Sequence, residues 1–118
     1  MRCLIVDDSA NFRDAASSML ERAGIEVVGV ASTADEALSQ YRELRPDVTL
    51  VDVNLGTESG FDVVDRLYAT EDPAPSTILI STHSEHDFAD MIAASPALGF
   101  VPKFALSPGA ILGLLGGT

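Results

Sequence analysis

Five short apolar runs punctuate the chain: "RCLIV" (2–6), "EVVGVA" (26–31), "VTLVDV" (48–53), "STILIS" (76–81) and "LGFVP" (98–102). Most are continuously apolar rather than alternating, the pattern of strands covered on both faces. The segments between them carry apolar residues at three- and four-residue spacing instead. Phe12, Ala16, Met19, Leu20 and Ala23 form one stripe, and Gly24 suits the position just past a helix end. "STADEALSQYREL" (32–44) opens on a capping box from Thr33 to Glu36 and stops before Pro46. "GFDVVDRLYA" (60–69) brings Phe61, Val64, Leu67 and Tyr68 together, and "EHDFADMIAAS" (85–95) groups Phe88, Met91 and Ile92. In "SPGAILGLLGG" (107–117), Ser107 stands as cap and Pro108 in the first turn. Gly113 and the closing glycines predict a short last helix, about 107–116, with a loose tail.

Strand and helix thus alternate five times. The pattern predicts an α/β fold, a flavodoxin-like (βα)5 doubly wound parallel sheet in three layers. Right-handed crossovers leave few topologies, and strand order 2-1-3-4-5 is the one expected. The length fits a single domain over 1–118. Pro102 is tolerable because the fifth strand is then an edge strand.

Composition narrows the function. The formal charge of −11 disfavours direct binding to nucleic acid or to an anionic membrane, and it favours cations and basic protein partners. No apolar run approaches the length of a membrane span, and the N-terminus lacks the form of a signal peptide, so a cytoplasmic location is expected. The single cysteine, Cys3, lies in an apolar run and is expected as a buried, inert thiol.

In an open parallel sheet the working crevice lies beyond the carboxyl ends of the strands. Asp7 and Asp8 follow the first run and Asp52 ends the third, so neighbouring strands bring three carboxylates to one rim. Two unit charges about 4 Å apart repel by roughly 4 kcal/mol at an effective dielectric near 20. A cation relieves that repulsion, and oxygen ligands from few side chains suit Mg²⁺. The fourth run delivers the hydroxyls of Ser81 and Thr82 to the same rim, and the fifth delivers Lys103, the only lysine in the chain. Carboxylate nucleophile, Mg²⁺, hydroxyl donor and lysine together describe phosphoryl transfer.

The motifs "VDD" (6–8), "LVDVNLGTESG" (50–60), "ILIST" (78–82) and "GFVPK" (99–103) resemble the receiver domain of two-component response regulators, of the chemotaxis-regulator type, over nearly the whole chain. The resemblance implies residue roles. Asp52 matches the phospho-accepting aspartate, Asp7 and Asp8 the metal-binding acids, and Asn54 the position offering its backbone carbonyl to Mg²⁺. Ser81 matches the switch hydroxyl, Phe100 the switch aromatic, Lys103 the family lysine and Gly60 the loop glycine. It also implies partners: a histidine kinase or phosphotransfer protein as donor, a downstream protein effector, and a phosphorylation-linked homodimer. The output surface would be the face of the fourth helix, fifth strand and fifth helix. Such a chain is a self-phosphorylating and autodephosphorylating switch rather than a turnover enzyme.

Some positions depart from the family pattern. Leu55 and Gly56 stand where Met-Pro is frequent, and Phe104 follows the lysine where proline, often cis, is usual. His83 and His86 read as exposed residues after the fourth strand, although His83, two residues past Ser81, occupies a position that in the family influences acyl-phosphate hydrolysis. Three other readings compete. A haloacid-dehalogenase-like phosphatase wants Asp-x-Asp, and here Asp52-Val53-Asn54 stands. A nucleotide or flavin binder wants a glycine-rich loop after the first strand, which is missing. A pseudo-receiver, binding partners without phosphorylation, sits poorly with a full acid set.

Overall fold

The structure, a computed structural model, describes residues 1–116. The closing glycine assigned above to the loose tail, Gly117, lies outside the described residues. Strands β1 (Arg2–Val6), β2 (Glu26–Ala31), β3 (Val48–Asp52), β4 (Thr77–Ser81) and β5 (Gly99–Pro102) form one sheet in the order β2-β1-β3-β4-β5. All four pairings are parallel. Helices α1 (Ala10–Arg22), α2 (Ala34–Leu44), α3 (Gly60–Thr70), α4 (Ala89–Ala94) and α5 (Pro108–Gly116) connect or follow the strands. A two-residue antiparallel ladder between Asn54–Leu55 and Glu58–Ser59 folds the loop after β3 back on itself.

Side chains along a strand alternate between the two faces. Cys3, Ile5, Val48, Leu50, Ile78, Ile80 and Val101 pack on one face against Ala16 and Leu20 of α1 and Ile111 of α5. Leu4, Val6, Val51 and Leu79 pack on the other against α2 and α3, with Phe88, Ile92 and Phe100 joining from the edge. The three-layer architecture expected from the continuous apolar runs is therefore present. The same alternation sorts the polar residues at the strand ends. Asp7, Asp52 and Lys103 continue the series that faces α1 and α5, whereas Ser81 and Phe100 continue the series that faces α4.

Helix ends follow local chemistry. Gly24, at φ +86°, takes the left-handed conformation just beyond α1 that a side chain resists. Thr33 Oγ1 accepts from the Glu36 N–H at 3.2 Å, the first half of the expected capping box. The second half closes one residue earlier than expected. Glu36 Oε1 accepts from both the N–H and the hydroxyl of Ser32, each at 2.8 Å, and two donors on Ser32 outweigh the single N–H of Thr33. Ser107 Oγ caps α5 by accepting from the Ala110 N–H at 3.1 Å.

Two expectations need correction. The segment 85–95 is not one helix. A 3-10 turn spans Glu85–Phe88 and α4 is only six residues long. Asp87 accepts from the N–H and hydroxyl of Ser84, which tightens the first turn, and Pro96 holds Ser95 extended and ends α4. Phe88 and Ile92 still face the core, but Met91 is 50% exposed. The last helix runs from Pro108 to Gly116, close to the expected bounds. Leu114 lies so close over Gly99 that a Cβ there would stand 2.7 Å from it, and this contact ties the last turn to β5. The second correction concerns the α1 stripe: Ala23 is exposed, and Ile25 fills the core position beyond α1 instead.

The two sheet edges are irregular. On β2 the register slips, Cys3 pairing with Val27 and Leu4 with Gly29, so Val28 is left over. The Ala31 carbonyl bonds inward to Asp7 N–H, so its neighbour Val30 O points to the open side, where Gln40 Nε2 donates to it at 2.6 Å. On the opposite edge Pro102 closes β5. Among the described residues the one cis peptide bond is Asp72–Pro73, and Lys103–Phe104 is trans.

Candidate functional site

Register brings the acids together. Val6 pairs with Val51, so Asp7 and Asp52 leave adjacent strands side by side on the same face. Asp7 is fully buried, Asp52 is nearly so, and Asp8 is exposed at the rim. Carboxylate oxygens of Asp7, Asp8 and Asp52 all lie within 4.8 Å of one another.

Each buried acid is held by its backbone surroundings. Asp7 Oδ1 accepts from the Ser9 N–H at 2.8 Å, and Arg13 donates to the Asp7 carbonyl at 2.7 Å. Asp52 Oδ1 accepts from the Asn54 N–H at 3.1 Å. Lys103 Nζ reaches across β4 to both acids, 3.0 Å from Asp52 Oδ2 and 2.6 Å from Asp7 Oδ2. The first contact is a hydrogen bond. The second is an ion pair out of hydrogen-bonding line, so Asp7 Oδ2 is buried without a hydrogen-bond donor. A buried carboxylate oxygen in that state fits a cation ligand, and an all-oxygen donor set suits Mg²⁺.

The electrostatics are mixed. Burial pushes the Asp52 carboxyl above its ordinary value, and the Asp7 charge adds to this, while the Asn54 N–H and Lys103 work the other way. Burial also opposes the Lys103 charge, but its contacts to Asp7 and Asp52 outweigh that and hold the ammonium above its ordinary pKa.

The loop after β3 is shaped by glycine. A Cβ on Gly60 would overlap the Asp52 carbonyl oxygen, and the Gly60 N–H donates to Val53 O at 2.8 Å. Gly56 turns at φ +75°, and a Cβ there would lie 3.6 Å from Asp8 Oδ2. Asn54 Oδ1 accepts from the Gly56 N–H at 3.1 Å, so its side chain serves the loop.

Ser81 and Phe100 sit on the other face, as their parity requires. Ser81 is 1% exposed, and its Oγ accepts from the His83 N–H at 3.0 Å. Phe100 is half-buried, its ring 6.4 Å from that of Phe88. Phe88 is the centre of an aromatic group, with Phe61 and His83 each 6.0 Å away. His83 and His86 are exposed, as expected, and so is Thr82. Sequence reasoning placed Phe88 only in a core stripe and missed this hub. It also missed Arg13 and the Asn54 N–H, whose contacts depend on loop geometry and carry no residue signature.

The chain resembles known proteins along almost its full length. The family model described as "Response regulator receiver domain" matches residues 3–112. The chemotaxis protein CheY of Thermotoga maritima is 30% identical over 86% of this chain and 84% of its own length. A protein-glutamate methylesterase/protein-glutamine glutaminase from Archaeoglobus fulgidus is 39% identical over 72% of this chain, which corresponds to 24% of that protein. The chain thus spans about a quarter of the length of that methylesterase relative. Among solved structures, a two-component response regulator of the LuxR family from Aurantimonas sp. SI85-9A1 superposes with a TM-score of 0.86 at 30% identity, covering 98% of this chain and 85% of the other.

Proposed function

The chain belongs to the response regulator receiver domain family, and from that membership we propose that it is a switch thrown by phosphorylation of Asp52, with a histidine kinase or phosphotransfer protein as donor. The observation that supports this reading best is the setting of Asp52: a buried carboxylate at a strand end, held by the Asn54 N–H and Lys103, beside Asp7 and Asp8. An Asp52 oxygen attacks the phosphorus of a phosphohistidine. The O–P bond forms as the P–N bond breaks, and the bonding pair leaves with the imidazole. Asp7, Asp8, Asp52 and the Asn54 carbonyl would hold a magnesium ion, which would supply positive charge to the phosphoryl oxygens.

The remaining work falls to the chain itself. Lys103, already at Asp52 Oδ2, transfers its contact to a phosphoryl oxygen. Ser81 donates its hydroxyl hydrogen to another when its loop moves inward. Phe100 then turns into the space this vacates, and Phe88, packed between Phe100, Phe61 and His83, carries the change to α4. The phosphoryl group shifts the equilibrium only through such differential contacts. The face of α4, β5 and α5 presents the result to a downstream protein or to a second copy of the chain. This chain acts as a switch rather than a turnover enzyme, works in the cytoplasm beside its kinase, and takes no direct part in nucleic-acid or membrane binding.

The deciding experiment is intact-mass spectrometry after incubation with acetyl phosphate and Mg²⁺. One base-labile phosphoryl group is expected on the wild type and none on Asp52→Asn. An unlabelled wild type would leave a phosphorylation-independent binding module, and label retained in the variant would move the acceptor from Asp52 to another residue.

A further inference from the structure

Lys103 carries the only ammonium side chain of the protein, on a flexible four-carbon stem, and something must aim it. Its two carboxylate contacts attract it but do not fix it from all sides. The ring of Phe12 lies 4.2 Å from Lys103 Nζ, within the range at which an aromatic face attracts a cation. Phe12 comes from the first turn of α1, on the face of the sheet that Asp7, Asp52 and Lys103 share.

That turn is itself tied to Asp7. Asp7 Oδ1 accepts from the Ser9 N–H, and Ser9 Oγ in turn accepts from the Phe12 N–H at 3.3 Å. The Phe12 ring meets Lys103 Nζ, and Lys103 Nζ returns to Asp7 Oδ2. The contacts close into a circuit of four residues. We propose that Phe12 is a positioning residue for Lys103, its ring holding the ammonium at the Asp7–Asp52 edge so that the phosphoryl group of the switch proposed above meets it already in place. An aromatic face suits this task. It attracts the cation without offering an oxygen that would compete with phosphate for the N–H donors. A leucine of similar apolar reach fills the space against the core but supplies no such attraction.

The single lysine makes the test direct. With ¹³C-labelled lysine the protein gives one CεHε₂ signal, that of Lys103. In the wild type it is expected upfield of an ordinary lysine, shifted by the ring current of Phe12. Phe12→Leu should return it to the ordinary position, and Phe12→Tyr should keep it upfield. A wild-type signal at the ordinary position, or one unmoved in Phe12→Leu, overturns the proposal. The functional arm is the affinity for beryllofluoride at saturating Mg²⁺, expected to weaken by about three- to tenfold in Phe12→Leu and to recover in Phe12→Tyr. Incorporating trifluoro-phenylalanine at position 12 keeps the shape, depletes the ring face and should weaken binding as leucine does. Equal affinity across all variants removes the positioning role. If wild type and variants alike bind no beryllofluoride, the phosphorylation reading and the role built on it both fall, while the lysine signal still reports whether the contact exists.

Discussion

Gly60 leaves no room for a side chain beneath Asp52: a Cβ would overlap the Asp52 carbonyl oxygen and stand 2.9 Å from Val53 Cα. Backbone cannot step aside as a flexible side chain can. Gly60→Ala should therefore destabilise the fold by about 2 kcal/mol or more, within the range for overpacking a close contact. Urea denaturation measures this directly. The displaced Asp52 should also bind Mg²⁺ more weakly, and a variant with unchanged stability and unchanged metal affinity would show that the loop relaxes freely.

Asp8 is the exposed member of the acid cluster, so its charge can be removed without emptying the core. Asp8→Asn should abolish Mg²⁺ binding by calorimetry. Without metal the same variant should be as stable as the wild type, or firmer by up to about 1 kcal/mol, because it relieves repulsion from two neighbouring carboxylates. Mg²⁺ binding that survives intact in the variant would move the metal elsewhere.

Ser81→Ala and Lys103→Ala should still accept phosphate from acetyl phosphate, at least partly, yet fail to pass the change on. Amide NMR with and without beryllofluoride reads this out. In the wild type, shifts should reach Phe100, Phe88 and α4, and in both variants they should stop at the rim. Wild-type shifts confined to the rim would describe a phosphate site without a switch.

Cys3 is fully buried, and burial pushes its thiol up to about 12. At pH 8 roughly one molecule in ten thousand then carries the thiolate. Thiol reagents should leave the native protein unmodified for hours and label it at once in denaturant. Rapid native labelling would mean that β1 opens locally.

Much of this was legible in the chain. Continuous apolar runs could be read as buried strands because both faces of this sheet are covered, and strand order then put Asp7, Asp52 and Lys103 at one rim. Chemistry that turns on contacts between distant residues was not. Phe12 reads as one more member of the α1 stripe, since its partner lies at the far end of the chain. The split of 85–95 was hidden because apolar spacing persists through a 3-10 turn, and only the Asp87–Ser84 contacts distinguish the two. Glu71 gave no periodic signal either, and it too is a buried charge.

Glu71 is buried between Arg42 and Arg45, with carboxylate–guanidinium distances of 3.0 and 3.3 Å. The hydrogen bond from Arg42 is the main cause that lowers its pKa below the ordinary 4.5, and Thr70 assists. A depressed folded-state pKa contributes stability that is present above the unfolded value and lost as pH falls through the folded one. The stability gap between wild type and Glu71→Gln should therefore be full at about pH 7 and shrink below about pH 4.5. Chemical denaturation at several pH values checks it, and a gap that widens in acid has the wrong sign.

Parallel sheets carry two unpaired edges, each a template on which another chain can add a strand. Here the slip at Val28 and the Gln40 side chain on Val30 O break one template, and Pro102 withholds an N–H from the other. Crowded copies of this chain should therefore resist zipping edge to edge into fibrils. Whatever association they do undergo must run through helix faces, where contact can be made and released without unravelling the sheet.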